Sequence, residues 1–434
     1  NGPRDTSLLD AFDELGVMVL AGLPGSFLWG GPRFAQNSYQ NARDLLRRDR
    51  NHPCIIAWEL SINECWWPDE QFSPTMVRIG HDELPGSYIG GFKDHGGWGG
   101  PCWYDINITG PGNDHEKYDG PLPTIRHEYG HFPYGGVHST SDVNRGDGEA
   151  RMLEQATNHQ HETNMLFSLP VSAYVGAGVF CYGDYASYPS GMVDKLRIPK
   201  FSYFFWKSQR DPSLNFGSLG IESGPMVFIA NYWTLDSPQD VRVYSNCDEV
   251  KLYLNGKYLQ SRTPDCEETS ETPFRAAFKN TAVWHPPFTF AGVSKETGTL
   301  RADGYIKGEK SASHSVTTPG KPVRLAVRIE TKGIGKAVTG VHVLPVYVAL
   351  EDAADSVVPW GDRNKDKVLV QFECSGEAVI VGARTVRLEA GVAGTILKTT
   401  GEVGPVSVQA TVDSGADGRR FKGTGTATLE VSKL

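Results

Sequence analysis

No run of lysines or arginines occurs in this 434-residue sequence, and its formal net charge is -9. Nucleic acid and anionic membranes, which reward clustered cations, are therefore disfavoured as partners. No apolar run reaches membrane-spanning length. No low-complexity tract or fibrous repeat is present, and charges of both signs are mixed through the chain, as in ordinary globular proteins. The seven cysteines, at 54, 65, 102, 181, 247, 266 and 374, form no CxxC pair and no metal-ligand spacing. An odd count leaves at least one thiol unpaired. Cys247 and Cys266 are the one pair considered for a disulfide in an oxidising compartment; the cysteines otherwise read as mostly buried thiols.

The chain is too long for one core and fits two or three domains. Up to about residue 212, short apolar runs alternate with amphipathic or loop segments, the pattern of parallel β/α units. The spacing predicts helices over Ser7 to Leu15, Ala42 to Arg50, Gly148 to Leu169 and Phe201 to Ser208. Expected strands are Val17 to Leu20, Cys54 to Leu60, Met76 to Ile79, Tyr104 to Ile108, Thr124 to His127 and Gly178 to Tyr182. After residue 216 alternating strands dominate, and Asn255-Gly256 is a hairpin-turn signal. Stretches of about 120 and 95 residues suit two sandwiches of immunoglobulin size, with a single larger sandwich as the alternative.

Aromatic residues gather outside periodic elements, as at Trp66-Trp67 and in Trp98 to Tyr104. Flat rings there can pack on the C–H face of a sugar. Two glutamates end apolar runs: Glu64 follows the run from Cys54, and Glu128 follows Thr124 to His127. In a β/α barrel the strand ends carry the catalytic groups. A carboxylate pair roughly 5 to 5.5 Å apart can protonate a glycosidic oxygen and attack the anomeric carbon with retention. The acid needs a poorly solvated pocket to hold its proton, for which Trp58, Trp66 and Trp67 are at hand. Arg126 or His127 would favour a Glu128 anion, and strand alternation puts Arg126 on the Glu128 side.

The stretch from Arg50 to Glu64, RNHPCIIAWELSINE, closely resembles the acid/base signature of glycoside hydrolase family 2, which includes β-galactosidases, β-glucuronidases and β-mannosidases. His127-Glu128-Tyr129-Gly130 looks like the family's nucleophile motif. The resemblance continues through Gly191 to Asp194, Arg197 to Tyr203, Val250 to Lys257 and Gly304 to Gly308, so it covers essentially the whole chain. It implies Glu64 as acid/base, Glu128 as nucleophile and Asn63 as the partner of the sugar 2-hydroxyl. It also implies a (β/α)8 TIM-type barrel over 1-212, followed by immunoglobulin-like sandwiches over 216-335 and 340-434. Trp58, Trp66, His95, Tyr129, Phe180 and Asp184 complete the expected substrate contacts.

Departures accompany the likeness. Phe180 or Cys181 stands where the family usually has a platform tryptophan, and the short, glycine-rich segment between the two glutamates suggests abbreviated fifth and sixth barrel strands. The family's N-terminal sandwich, its first immunoglobulin-like domain and two barrel strands have no counterpart. A six-strand remnant would expose a parallel edge. The expectation is thus a fragment or nicked chain whose missing N-terminal region or second chain completes the pocket.

The expected activity is retaining, exo-acting β-glycosidase, β-galactosidase-like in preference, on a glycoside or oligosaccharide, with no cofactor and no metal. His95, His115, His131 and His138 lie among Asp94, Asp105, Asp114 and Asp142, but no spacing organises them into a metal site. Asn107-Ile108-Thr109 matches a glycosylation sequon, a pattern common by chance. The alternative is a non-catalytic carbohydrate-binding or structural remnant. A periplasmic or extracellular setting is expected, with oligomerisation left open.

Overall fold

The structure, a computed structural model, describes residues 4–23, 30–61, 70–92, 103–109, 122–130, 142–168, 174–184, 188–268, 278–279, 282–332, 334, 338–361, 367–416 and 419–432. Six parallel strands form one sheet in sequence order: β1 (Val19–Gly22), β2 (Ile55–Ser61), β3 (Ile89–Phe92), β4 (Ile106–Thr109), β5 (Thr124–Tyr129) and β6 (Tyr174–Val179). The helices are α1 (Thr6–Leu15), α2 (Pro32–Asp49), α3 (Phe72–Glu83), α4 (Glu149–Phe167) and α5 (Phe201–Ser208). Among the described residues no helix is long and apolar enough to cross a membrane.

Local chemistry explains these elements. Asp5 caps α1 by accepting the Ser7 backbone N–H at 2.9 Å. Pro32 opens α2, which buries Ala35, Ala42, Leu45 and Leu46 along one stripe. Met76 to Ile79, expected as a strand, is helical instead. Phe72, Met76 and Ile79 recur at helical spacing and are buried together against the sheet, a pattern that a four-residue apolar window cannot separate from a strand. Strand β3 escaped sequence reading because Gly90-Gly91 resembles a turn. A Cβ on Gly91 would sit 2.3 Å from the Tyr104 ring, so only glycine allows that ring to pack flat on the strand. Strands β3 and β4 have four residues each, the short strands that the glycine-rich segment suggested. The last strand starts and ends earlier than Gly178 to Tyr182.

The two faces of the sheet differ. Trp58, Leu60, Val19 and Ala21 pack with Leu45, Leu46, Phe72, Met76 and Ile79 under the helices. Leu20, Ala57, Ile106, Ile108 and Ile125 form an apolar layer on the opposite face.

Residues 227–317 build a four-stranded and a three-stranded antiparallel sheet around Val243, Leu252, Phe288, Phe290 and Leu300. Residues 324–432 build a four-stranded and a five-stranded sheet around Val346, Val348, Phe372, Val408 and Val412. Alternate burial of Leu344, Val346, Val348 and Leu350 along one strand is the period-two signature of a sheet with one wet face. The middle region locks onto α4: Glu149 accepts the backbone N–H of Tyr232 and the Ser237 hydroxyl, the latter at 2.6 Å. Phe201, Phe205, Ala230 and Tyr244 share the adjoining core. Cys247 is a buried free thiol and Cys266 an exposed one, so the considered disulfide is not formed. The sequon is equally structural: Asn107 is buried in β4 with its amide donating to the Thr124 hydroxyl at 3.3 Å.

Asn255-Gly256 makes the expected turn between Glu249–Leu254 and Lys257–Arg262, with φ of 52° and 80°. The Asn255 side chain also donates to the Thr297 carbonyl and accepts from the Thr299 N–H. Asn255→Ala removes both bonds and places a Cβ-bearing residue without αL tolerance at positive φ, and is expected to cost about 1–3 kcal/mol in chemical denaturation. A loss below about 0.3 kcal/mol would mean the turn does not depend on this side chain.

Candidate active site

The C-terminal ends of the parallel strands share one rim, and Glu128, read from sequence as catalytic, falls near it on β5. Glu59 on β2 and His127 on β5 come two positions after Ala57 and Ile125, so they stand one level above the apolar layer, toward that rim. His127 Nδ1 lies 2.6 Å from Glu59 Oε1. Three strand spacings separate β2 from β5, about 14 Å on a flat sheet at ~4.8 Å each. Side chains standing upright on a flat sheet would not meet at that distance. The contact therefore requires a strongly curled sheet, with Glu59 and His127 facing each other across its hollow.

Glu128 joins this pair through a break in the strand. The β5–β6 register pairs Arg126 with Ala177 but Tyr129 with Val179, so 127 and 128 together oppose a single residue. Such a bulge turns both side chains toward one face. His127 Nε2 consequently sits 3.8 Å from Glu128 Oε2, beyond a hydrogen bond but well within Coulombic reach. This corrects the simple alternation that put Arg126 beside Glu128. Arg126 is 2% exposed, and its charge acts on Tyr129 at the α4 side of the strand.

Behind the bulge, α4 clamps the chain. Glu162 accepts the Gly130 N–H at 2.8 Å, and the Asn158 amide donates to the Gly130 carbonyl at 2.9 Å. Both sides of a residue two positions from Glu128 are thereby held. Tyr129, expected to contact substrate, is a core residue instead: it is 3% exposed, its hydroxyl is hydrogen-bonded to Thr163 and its ring packs edge-on to Trp206. Burial pushes that phenol well above its ordinary pKa. Trp58 is likewise corrected, because it belongs to the helix-covered core on the face opposite Glu59.

Phe180 follows β6 directly, its N–H donating to the Tyr129 carbonyl at 2.7 Å, which ties the last strand to the bulge. Asp184 is anchored rather than free: its Oδ1 accepts the Gly191 N–H at 2.8 Å and Lys200 Nζ at 2.7 Å. Lys200, with a fully buried side chain, also donates to the carbonyls of Val143 and Pro189. Burial drives Asp184 up and Lys200 down from their usual values, and each charge opposes that drift in the other. Asn63, Glu64, Trp66 and His95 lie outside the described residues; Glu64 is three positions past the end of β2. His115, His131, His138, Asp94 and Asp114 lie outside them too. Asp105 instead pairs with His81 at 2.8 Å, and Asp142 accepts the Ser190 hydroxyl.

Sequence reading missed Glu59, Asn158 and Glu162. Glu59 carried a signal: a charged residue inside the buried run from Ile55 to Leu60 must find a partner. The other two sit on an α4 whose polar residues are buried nearly all round, which no amphipathic pattern announces.

Comparison with known proteins finds relatives in sequence and in fold. The chain is 28% identical to a β-galactosidase of Thermoanaerobacter pseudethanolicus over 439 residues, which covers 94% of this chain and 53% of that protein. It is similar along its length to glycoside hydrolases of family 2. A putative β-glucuronidase of Formosa agariphila is 22% identical over 76% of the chain and 45% of its own length. A family 2 β-glucuronidase structure matches all of the chain and 44% of its own, with a TM-score of 0.70 and 19% identity. A Bacteroides vulgatus β-glycosidase structure matches 99% of the chain and 59% of its own, with a TM-score of 0.69 and 17% identity. The chain thus spans about half the length of the curated relatives it matches. Residues 236–312 match a domain of unknown function, DUF4982, within the middle region.

Replacing Lys200 by Met leaves the Asp184 carboxylate buried without its cation. The expected loss is about 3–5 kcal/mol of stability by urea denaturation, with part regained in the double variant carrying Asp184→Asn. A single-variant loss under 1 kcal/mol would show that solvent, rather than Lys200, compensates that carboxylate.

Proposed function

We propose that this chain carries the catalytic carboxylates of a retaining, exo-acting β-glycosidase, β-galactosidase-like in preference, acting on terminal β-linked sugars of a glycoside or oligosaccharide. The observation that carries the reading is Glu128 on its bulge at the sheet's C-terminal rim, beside the Glu59–His127 pair. In this reading residues 1-212 are the catalytic part of a (β/α)8-type barrel, with immunoglobulin-like sandwiches at 216-335 and 340-434. A periplasmic or extracellular setting belongs to the same proposal.

Glu128 is the nucleophile. Its carboxylate attacks the anomeric carbon while Glu64 protonates the departing oxygen; a water deprotonated by Glu64 then hydrolyses the glycosyl ester. Asn63 binds the 2-hydroxyl, and Trp66, His95 and Phe180 contribute sugar contacts. The His127 ring lies between two carboxylates, with Nδ1 2.6 Å from Glu59 and Nε2 3.8 Å from Glu128, and so orients the polar surroundings of the nucleophile. The name of the 28%-identical relative supports galactoside as the first substrate to try.

The test is a panel of 4-nitrophenyl β-galactoside, β-glucuronide, β-mannoside and β-glucoside, with product anomers followed by NMR. Wild type should release chromophore from at least one, with retention. Glu128→Gln should lower kcat/KM by on the order of 10⁴-fold or more, and Glu64→Ala by about 10²- to 10⁴-fold. Azide should partly rescue Glu64→Ala, since it attacks the glycosyl-enzyme without a general base. Inverted product, or no release from the panel and from β-linked oligosaccharides, overturns the reading.

A further inference from the structure

A cleft of about 420 Å³ lies where the C-terminal β region meets the sheet's catalytic rim. Its volume falls within the range of about 300–1,000 Å³ usual for ligand sites. One wall is built by Arg145, Tyr188, Asp194 and Lys195, and the other by Arg387 and Glu389. The first wall is not arbitrary. Arg145 lies on the connection from β5 to α4, and the other three on the connection from β6 to α5. Both connections leave the C-terminal ends of parallel strands, where such sheets bind their ligands.

The opposite wall is held in register by direct contacts. The Tyr347 hydroxyl donates to the Leu196 carbonyl at 2.8 Å, and the Gly146 N–H donates to Glu389 Oε2 at 3.4 Å. Gly394 packs so closely on Leu196 that a Cβ there would come within 2.7 Å of it. Asp184 also borders the cleft, three residues after Cys181. Burial pushes the Cys181 thiol up to about 11, with the Asp184 and Glu128 charges adding to the rise. The segment bordering the cleft also bonds the residue after the candidate nucleophile, through the Phe180 N–H to the Tyr129 carbonyl at 2.7 Å.

The lining chemistry selects a class of ligand. Three cationic groups, Arg145, Lys195 and Arg387, are matched in number by three carboxylates, Asp184, Asp194 and Glu389, so no net charge calls for an anion or a cation. The lining thus offers both donors and acceptors, which suits hydroxyl groups that do both. The Tyr188 ring is 50% exposed at the cleft, a flat apolar surface for the C–H face of a pyranose. We infer that this inter-region cleft is an outer subsite binding neutral sugar units of an oligosaccharide beyond the linkage that is cut, with the C-terminal β region supplying half of it. The inference rests on the glycosidase reading above.

The experiment compares 4-nitrophenyl β-galactoside with β-linked galactotriose and galactotetraose in the full chain and in Tyr188→Ala and Arg387→Ala. The expected result is a fall of about tenfold in kcat/KM for galactotetraose relative to the aryl galactoside, expressed mainly in KM. Direct titration of galactotetraose into Glu128→Gln, with and without Tyr188→Ala, should show the same weakening without turnover. Circular dichroism checks that each variant is folded, and Tyr188, half exposed, tolerates truncation. An unchanged ratio in both folded variants overturns the inference, as does a wild type that cleaves the aryl galactoside but neither oligosaccharide. A wild type that cleaves nothing in the wider aryl panel overturns instead the reading beneath it.

Discussion

The contact between Glu59 and His127 is the constraint on which the candidate site depends. A carboxylate buried to 3% exposure needs a polar companion, and the imidazole that lies 2.6 Å from it belongs to a strand three places away. Curling the sheet satisfies that demand, and the same curvature gathers Leu20, Ala57, Ile106, Ile108 and Ile125 into a floor beneath it. The floor excludes water from below. A polar pair on an apolar floor is a low-dielectric setting in which a neighbouring charge, such as that on Glu128, is felt strongly.

Precision at Glu128 comes from a strand irregularity and from a helix behind it. The bulge at 127–128 lets two consecutive side chains face the hollow, and α4 holds the exit by bonding both sides of Gly130. A buried polar helix is a costly way to cover a sheet unless its groups are paired. Here the pairing does positional duty: Glu162, Asn158 and Thr163 face the strand, while Asn164 and Gln160 reach Ala282 and Arg242 of the middle region. Glu149 ties the start of the same helix to Tyr232 and Ser237. The middle region is thus a brace for α4, and through α4 for the nucleophile strand.

The segment from 184 to 200 plays the matching role on the other side. Lys200 draws Asp184, Val143 and Pro189 to one ammonium, which fixes the loop after β6 against the loop before α4. Leu196 then presents its carbonyl and side chain to Tyr347 and Gly394. The C-terminal region meets a prearranged surface, and the cleft between them has walls set by hydrogen bonds rather than by loose packing.

Several features were legible in the residues alone. Strand and helix alternation, the helix over Phe201 to Ser208, the Asn255-Gly256 turn and the strands Ile55–Ser61 and Thr124–Tyr129 all follow from short-range patterns, which act over a few residues. Tertiary structure decided what those patterns leave degenerate. Met76 to Ile79 became a helix because its apolar residues meet the sheet together with Phe72, a partner outside the short run. Trp58 and Tyr129 went to the helix side because a strand in a curled sheet has two buried faces, and sequence does not say which holds substrate. Arg126 lost Glu128 to a bulge that depends on pairing with β6, nearly fifty residues further along the chain. Periodicity thus determined which segments are strands and helices, while contacts between distant segments determined which way each side chain faces.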